Sequence, residues 1–345
     1  MPFSIPSESG FKIQSEKRRQ AFRRSACPRP PIPLRSPLKR HILPNTHRLL
    51  VVLILLSILG AITLSCQSIR TVKKNQLIYS PEDFQSALLE RVPDLNKNLA
   101  IAPFVVLASD IEKAEARILE APIGPARVRA LVAALSADLP EGFGLKYDWL
   151  ASTTAMQALE SRQANCVALA SVLVGLGRGL GWRIYYAEAR ARRPETYEFE
   201  QITLISDHMV VIVAALSFKI VIDFTGQIDD QYELNPIDDL TAYAHLINNI
   251  AGQHIARSQG TPTDDDWRSA LKGFELAGQI QPSLGRAWNN QGIALTRLDR
   301  FEEAEVAYRR ALELNSEFGS ARRNLEIMQT RAKGQTTVAE EAISR

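Results

Sequence analysis

Apolar positions follow different rules in successive parts of the chain. Leu49–Ser65 is a continuous run of seventeen residues without a charge. From Ser68 to about Ala121 the spacing is helical with breaks at Pro81, Pro93 and Pro103, and Ile111–Leu119 forms a short amphipathic helix. Arg127–Leu139 is a second helix, with Val128, Leu131, Val132 and Leu135 on one face, ended by Pro140-Glu-Gly-Phe-Gly144. Ser152-Thr-Thr-Ala caps a short helix over Met156–Arg162. Leu169, Val172, Leu173, Leu176 and Leu180 then mark one apolar face of a helix, with Asn165 as N-cap and Gly181 at the C-terminal end. After it the period changes. Trp182–Arg190, Ile202–Val213 and Phe218–Phe224 are apolar and rich in β-branched residues and predict strands. Arg190–Glu198 is a charged surface loop, and Asp229–Asp239 is a polar connector. The fold class is α+β, followed by an all-α region.

That last region repeats. Trp288, Gly292, Ala304, Tyr308 and Ala311 fall at positions 4, 8, 20, 24 and 27 of a 34-residue unit, which resembles the tetratricopeptide repeat. Ala270, Phe274 and Ala277 lie 34 residues upstream, with Pro282 at position 32. Asn248-Asn249 precedes Asn289-Asn290 by 41 residues, so the earlier unit carries seven extra residues at Gly260-Thr-Pro-Thr-Asp-Asp-Asp266. Ala321–Met328 starts a capping helix. Two units and a cap bury little apolar surface alone, so the array is expected to pack on the preceding domain. The resemblance implies a surface for a protein partner; an extension that only stabilises the domain is the other reading.

The candidate chemistry centres on Cys166. A thiol in the first turn of a helix feels the positive end of the dipole, which favours the thiolate. If the two later strands form a hairpin turning at Ala214–Ser217, a turn centred between Ala215 and Leu216 sets His208 directly opposite Asp223, on one face of the sheet. Asp223 would then orient His208, and His208 would take the proton of Cys166. Taken singly, a buried Cys, a strand His and a strand-ending Asp are structural residues; their joint order favours a triad.

The residues Asn165-Cys166-Val-Ala-Leu-Ala, Arg178-Gly-Leu-Gly181, Asp207-His208-Met-Val-Val and Val221-Ile-Asp223-Phe resemble the transglutaminase-like superfamily, related to papain-like cysteine proteases, over about Pro125 to Gly226. The resemblance implies a Cys helix packed on an antiparallel sheet bearing the His and Asp. The reaction it implies is acyl transfer on an amide through Cys166, His208 and Asp223. Nothing marks an amine-acceptor or calcium site, so hydrolysis of a peptide or isopeptide bond is expected over cross-linking. The hairpin tip, Ala-Ala-Leu-Ser, departs from the Gly or Asn of a tight turn. No oxyanion donor is evident; Gln163 and Asn165 are candidates beside the Cys166 backbone. A silent domain of this kind, used with the repeats as a scaffold for envelope proteins, is the alternative.

Charge changes the picture at the N-terminus. Residues 1–48 hold eleven Lys and Arg against Glu8 and Glu16, a net of +9, which leaves −6 for the rest of a chain whose total is +3. The remainder has no basic patch, which excludes nucleic acid as a partner. The basic Pro- and Ser-rich segment 1–48 is expected to be disordered. It is either a cytoplasmic flank or, if translation starts downstream, partly never made. Residues 49–66 form a signal or membrane-anchor segment, and Thr63-Leu64-Ser65-Cys66 resembles a bacterial lipoprotein cleavage box in which Cys66 would carry lipid. An uncleaved transmembrane anchor and a buried core helix are the other readings of this run. Both anchored forms place the rest of the chain in the cell envelope, outside the cytoplasm. The expected domains are 67–122, a helical linker and cap; 123–228, the transglutaminase-like domain; 240–330, the repeats; and 331–345, a disordered tail. With cysteines at 27, 66 and 166 alone, no disulfide framework, metal site or cofactor is expected.

Overall fold

The computed structural model describes residues 12–16, 76–191, 196–199, 202–205, 208–226, 232–258 and 261–343; for 12–16, 99, 191, 196–199, 202–205, 208 and 335–343 it describes the backbone alone. The membrane-anchor segment 49–66 and Cys66 lie outside these residues. Among the described residues no helix is long and apolar enough to cross a membrane.

In chain order the elements are β1 (Lys12–Glu16), α1 (Pro81–Arg91), α2 (Ala108–Ile118), α3 (Pro125–Ser136), β2 (Lys146–Tyr147), α4 (Ala155–Ser161), β3 (Gln163–Ala164), α5 (Cys166–Gly179), β4 (Ile184–Ala191), β5 (Thr196–Phe199), β6 (Ile202–Ile205), β7 (His208–Ala214), β8 (Lys219–Asp223), β9 (Tyr232–Pro236), α6 (Asp239–Ala256), α7 (Asp264–Ile280), α8 (Gly285–Arg297), α9 (Phe301–Leu314) and α10 (Gly319–Ile343). A mixed α and β body therefore precedes helical hairpins. The main sheet has the order β1-β8-β7-β4-β9 and is antiparallel throughout.

Helix α5 is the centre of the body. Its interior lacks charges from Val167 to Gly177, and each of those residues is buried. It faces Ile184, Tyr186, Met209, Val211, Val213, Ile220 and Ile222 of the sheet, and the same core reaches Phe84 and Leu88 of α1. Residues alternate along a strand, so Ala187, Ala189, Val210, Ile212 and Val221 form a separate cluster on the other face. Gly175 has a packing reason: a Cβ there would lie 2.2 Å from the Phe104 carbonyl oxygen, so α5 crosses that segment backbone to side. Gly181 takes φ +76° directly after the helix, as a C-terminal glycine does.

Four expectations are corrected. Residues 12–16 form β1 inside a segment whose composition predicts no order; they pair with β8 through backbone groups, which requires no apolar side chains. The polar connector contains β9, whose Tyr232 and Leu234 alternate onto the far face of the sheet beside the charged residues that mask them in the sequence. The charged loop and the long second strand instead yield a separate hairpin, β5–β6, before β7. Helix α10 runs to Ile343 through the segment read as a tail, since helical hydrogen bonds close within the segment without a core.

The helical part holds the predicted small-residue contacts. Ala270, Ala277, Ala304 and Ala311 are all at most 1% exposed. Tyr308 lies so close to Gly292 that a Cβ would meet its ring at 2.5 Å. Ala277 and Ile280 at the end of α7 and Leu284 and Ala287 at the start of α8 belong to the core of the body, so the array shares that core.

Candidate functional site

Three stretches converge at the start of α5. Asn165 accepts the Val167 and Ala168 N–H groups, both at 3.1 Å, on its side-chain oxygen, which begins the helix at Cys166. Its amide donates to the Ser152 hydroxyl at 2.6 Å. Asn165 is thus the helix cap that its position predicts, with its oxygen committed to that role. Gln163, the other candidate donor, is the exposed residue of β3, beside the buried Ala164.

Cys166 is a free thiol on a partly buried residue. Burial pushes the thiol up; the backbone N–H groups of Met209 and Val167 and the charge of Arg286 pull it partly back, and Asp223 adds to the rise. The helix-start position alone predicts a depressed thiol, and desolvation outweighs it. Met209 is the second residue of β7, so the strand that begins at His208 passes beside the sulfur. The His208 backbone stands opposite Ala189 of β4; its side chain lies outside the described residues.

Asp223 ends β8 and is 2% exposed. Its Oδ1 accepts from the Thr225 N–H at 2.8 Å and the Thr225 hydroxyl at 2.7 Å. Its charge bears on Cys166, so the two residues, 57 positions apart, share one electrostatic neighbourhood. The register differs from the expected one. Ala214 pairs with Lys219 and Val211 with Ile222, so the turn is centred between Leu216 and Ser217 and Asp223 follows opposite Val210 instead of His208. The tip lacks a residue that fixes a tight turn, and a loop closed by the Ala215 N–H to Phe218 carbonyl bond (2.9 Å) forms one position later. A shift of two preserves the alternation of the ladder, so His208 and Asp223 still share a face, but it is the face of Ala189, Val210 and Val221, opposite the one that packs on α5.

Other residues of this neighbourhood escape sequence reasoning. Tyr147 and Arg286 lie close enough for Cys166 to interact electrostatically with both. Arg286 opens α8 at position 2 of the 34-residue unit, so a repeat contributes to the surroundings of the thiol. Also on the α5 side of the sheet, Glu188 pairs with Met209 across β4–β7 and meets His245 of α6 at 2.6 Å. Burial alone would raise Glu188; the His245 hydrogen bond and charge, with Arg190, outweigh it and hold the carboxyl at about 2. No local signal predicts these pairs, because each joins distant segments. A polar depression of about 440 Å³ lined by Asp138, Lys146, Arg162 and Gln163 contains none of Cys166, His208 and Asp223 and is not assigned as the site.

Comparison with known proteins bears on the helical part. Residues 285–318, which cover α8 and α9, match the tetratricopeptide repeat family model. A segment of 65 residues, 19% of the chain, is 40% identical to the peroxisomal targeting signal receptor of Saccharomyces cerevisiae. The match spans 11% of that protein's length. The chain carries a tetratricopeptide repeat near its C-terminus, on the α8–α9 hairpin.

Proposed function

We propose that the body is a cysteine hydrolase of the transglutaminase-like kind, acting on an amide or peptide bond, and that the repeat region binds protein partners. The observation that carries it is the start of α5: a free thiol, at a capped helix N-terminus, beside the first residues of β7 and within electrostatic reach of Asp223. Cys166 attacks the acyl carbon, His208 shuttles the proton, Asp223 holds His208, and water releases the thioester. The charged run of 1–48 and the apolar run of 49–66 support an envelope location, through lipid on Cys66 or a transmembrane anchor.

The test is labelling of Cys166 by an acylating activity probe. Labelling that disappears in His208→Ala is the expected result, and a Cys166→Ala protein that keeps its activity on a substrate sinks the mechanism. Two observations favour the second reading, a silent scaffold: burial pushes the Cys166 thiol up, and the alternation of β7 and β8 assigns His208 and Asp223 to the sheet face away from α5. The two readings separate on the pH profile of iodoacetamide labelling. An enzyme labels near neutral pH through an imidazole-activated thiolate, whereas a scaffold labels only above the ordinary thiol range.

A further inference from the structure

We propose that Tyr147 is a catalytic residue of this site, its phenol donating a hydrogen bond to the oxygen that becomes negative when Cys166 attacks the substrate carbonyl. The inference rests on the reading of Cys166 as nucleophile. Attack places a full charge on that oxygen, and donors fixed in advance around it supply much of the catalysis. The first turn of α5 has little to offer beyond Cys166 itself. The N–H groups of Val167 and Ala168 point to Asn165 Oδ1, and that of Leu169 to the Asn165 carbonyl at 2.9 Å. The Met209 N–H from β7 is directed at the sulfur itself, so a donor for the developing oxyanion is sought on a further segment.

The segment around Tyr147 is held against the residues that lead into Cys166. Tyr147 pairs with Ala164 in the parallel β2–β3 bridge. The Lys146 N–H donates to Arg162 at 2.9 Å, the Asp148 N–H to Ala164 at 3.0 Å, and the Asn165 N–H to Ala151 at 3.0 Å. From the other side Gln253 of α6 donates to the Trp149 carbonyl at 2.9 Å and the Ser152 hydroxyl at 2.8 Å. A strap tied on both sides fixes the backbone that carries Tyr147, so only its side-chain rotamers remain to be ordered by substrate. Tyr147 nevertheless keeps 55% of its surface open, so a substrate can reach it. Burial raises its phenol, and the charges of Cys166 and Asp223 raise it further, which keeps the proton on the donor.

The step balances without transfer of that proton. The Cys166 sulfur forms a bond to the acyl carbon, and the carbonyl π pair moves to the oxygen under the Tyr147 O–H. The pair then returns, the C–N bond breaks, and the nitrogen leaves with the proton that His208 took from the thiol.

Two probes isolate this role. 4-Nitrophenyl acetate acylates a thiol through a tetrahedral oxyanion, whereas iodoacetamide alkylates it by direct displacement with none. Tyr147→Phe, which keeps the ring, is expected to lower the ratio of acylation to alkylation rate at Cys166 by about a hundredfold. An unchanged ratio overturns the proposal. So does a loss seen in Tyr147→Ala and rescued by Tyr147→Phe, which assigns the ring to packing. A wild-type Cys166 acylated no faster than free cysteine, or equally fast in His208→Ala, overturns the reading of the site itself and Tyr147 with it. An unchanged thermal midpoint confirms that the exposed substitution leaves the fold intact.

Discussion

Helix α6 is held on its two sides by different chemistry. Toward the body it uses polar atoms at fixed places: Asp239, fully buried, takes two bonds from Arg178 at 2.8 Å and one from the Tyr79 N–H at 2.8 Å, His245 meets Glu188, and Gln253 grips the Tyr147 strap. Toward the array it uses shape: Ala251 sits so close to Gly273 that a Cβ there would lie 2.7 Å away, and Trp267, Ala270, Leu271 and Phe274 fill the rest of that core. Shape complementarity is spread over many contacts and survives small changes. A buried ion pair concentrates its effect in a few atoms, since removing one partner strands the other charge.

The comparison is broken most severely at Asp239. Asp239→Ala leaves the Arg178 guanidinium enclosed without its carboxylate and is expected to cost about 3–5 kcal/mol, read as a fall in the urea midpoint. Adding Arg178→Met should recover much of that loss, because the uncompensated charge goes too; a double variant as unstable as the single one contradicts the account.

Next comes acid. The folded carboxyl of Glu188 titrates at about 2 against an ordinary 4.5, so its contribution is present above pH 4.5 and drains away as pH falls toward 2. On the order of 2–3 kcal/mol should vanish over that window. The same window should be flatter in Glu188→Gln, as measured by denaturation at stepped pH.

On the array side Gly292→Ala is expected to cost about 1–3 kcal/mol although alanine is the better helix former, because its Cβ has to displace the Tyr308 ring. A neutral or stabilising result means that α8 and α9 are packed more loosely than described. The smallest effect belongs to the surface: Arg300, bonded to Glu303 at 2.6 Å in the open, should be replaceable by Ala without a measurable shift in midpoint.

Local chemistry made much of this legible. Asn165 caps α5, and Thr154 with Gln157 forms the capping box of α4, because a cap needs only residues within three positions. The repeat is legible because its small residues recur at a fixed period. The hairpin between β7 and β8 was legible in kind but not in register: with Ala-Ala-Leu-Ser at the tip no residue selects one turn, and both registers, two positions apart, present Ile220 and Ile222 on the same face. The apolar residues of β9 give no local signal, because a fifth strand needs β4 as a neighbour before they have anything to cover.

By itself, then, the sequence determined the helix that begins at Cys166, the strands that follow it and the period of the repeat, all consequences of caps and spacing within a few residues. The tertiary structure alone decided that Asp223, Tyr147 and Arg286 share the surroundings of one thiol, and that Asp239 and His245 join the array to the body. Those partners are separated by between 19 and 120 positions in the pairs Tyr147–Cys166 and Cys166–Arg286. Contacts of that span leave no periodic or local signature, because the free energy that brings them together belongs to the core that closes around α5.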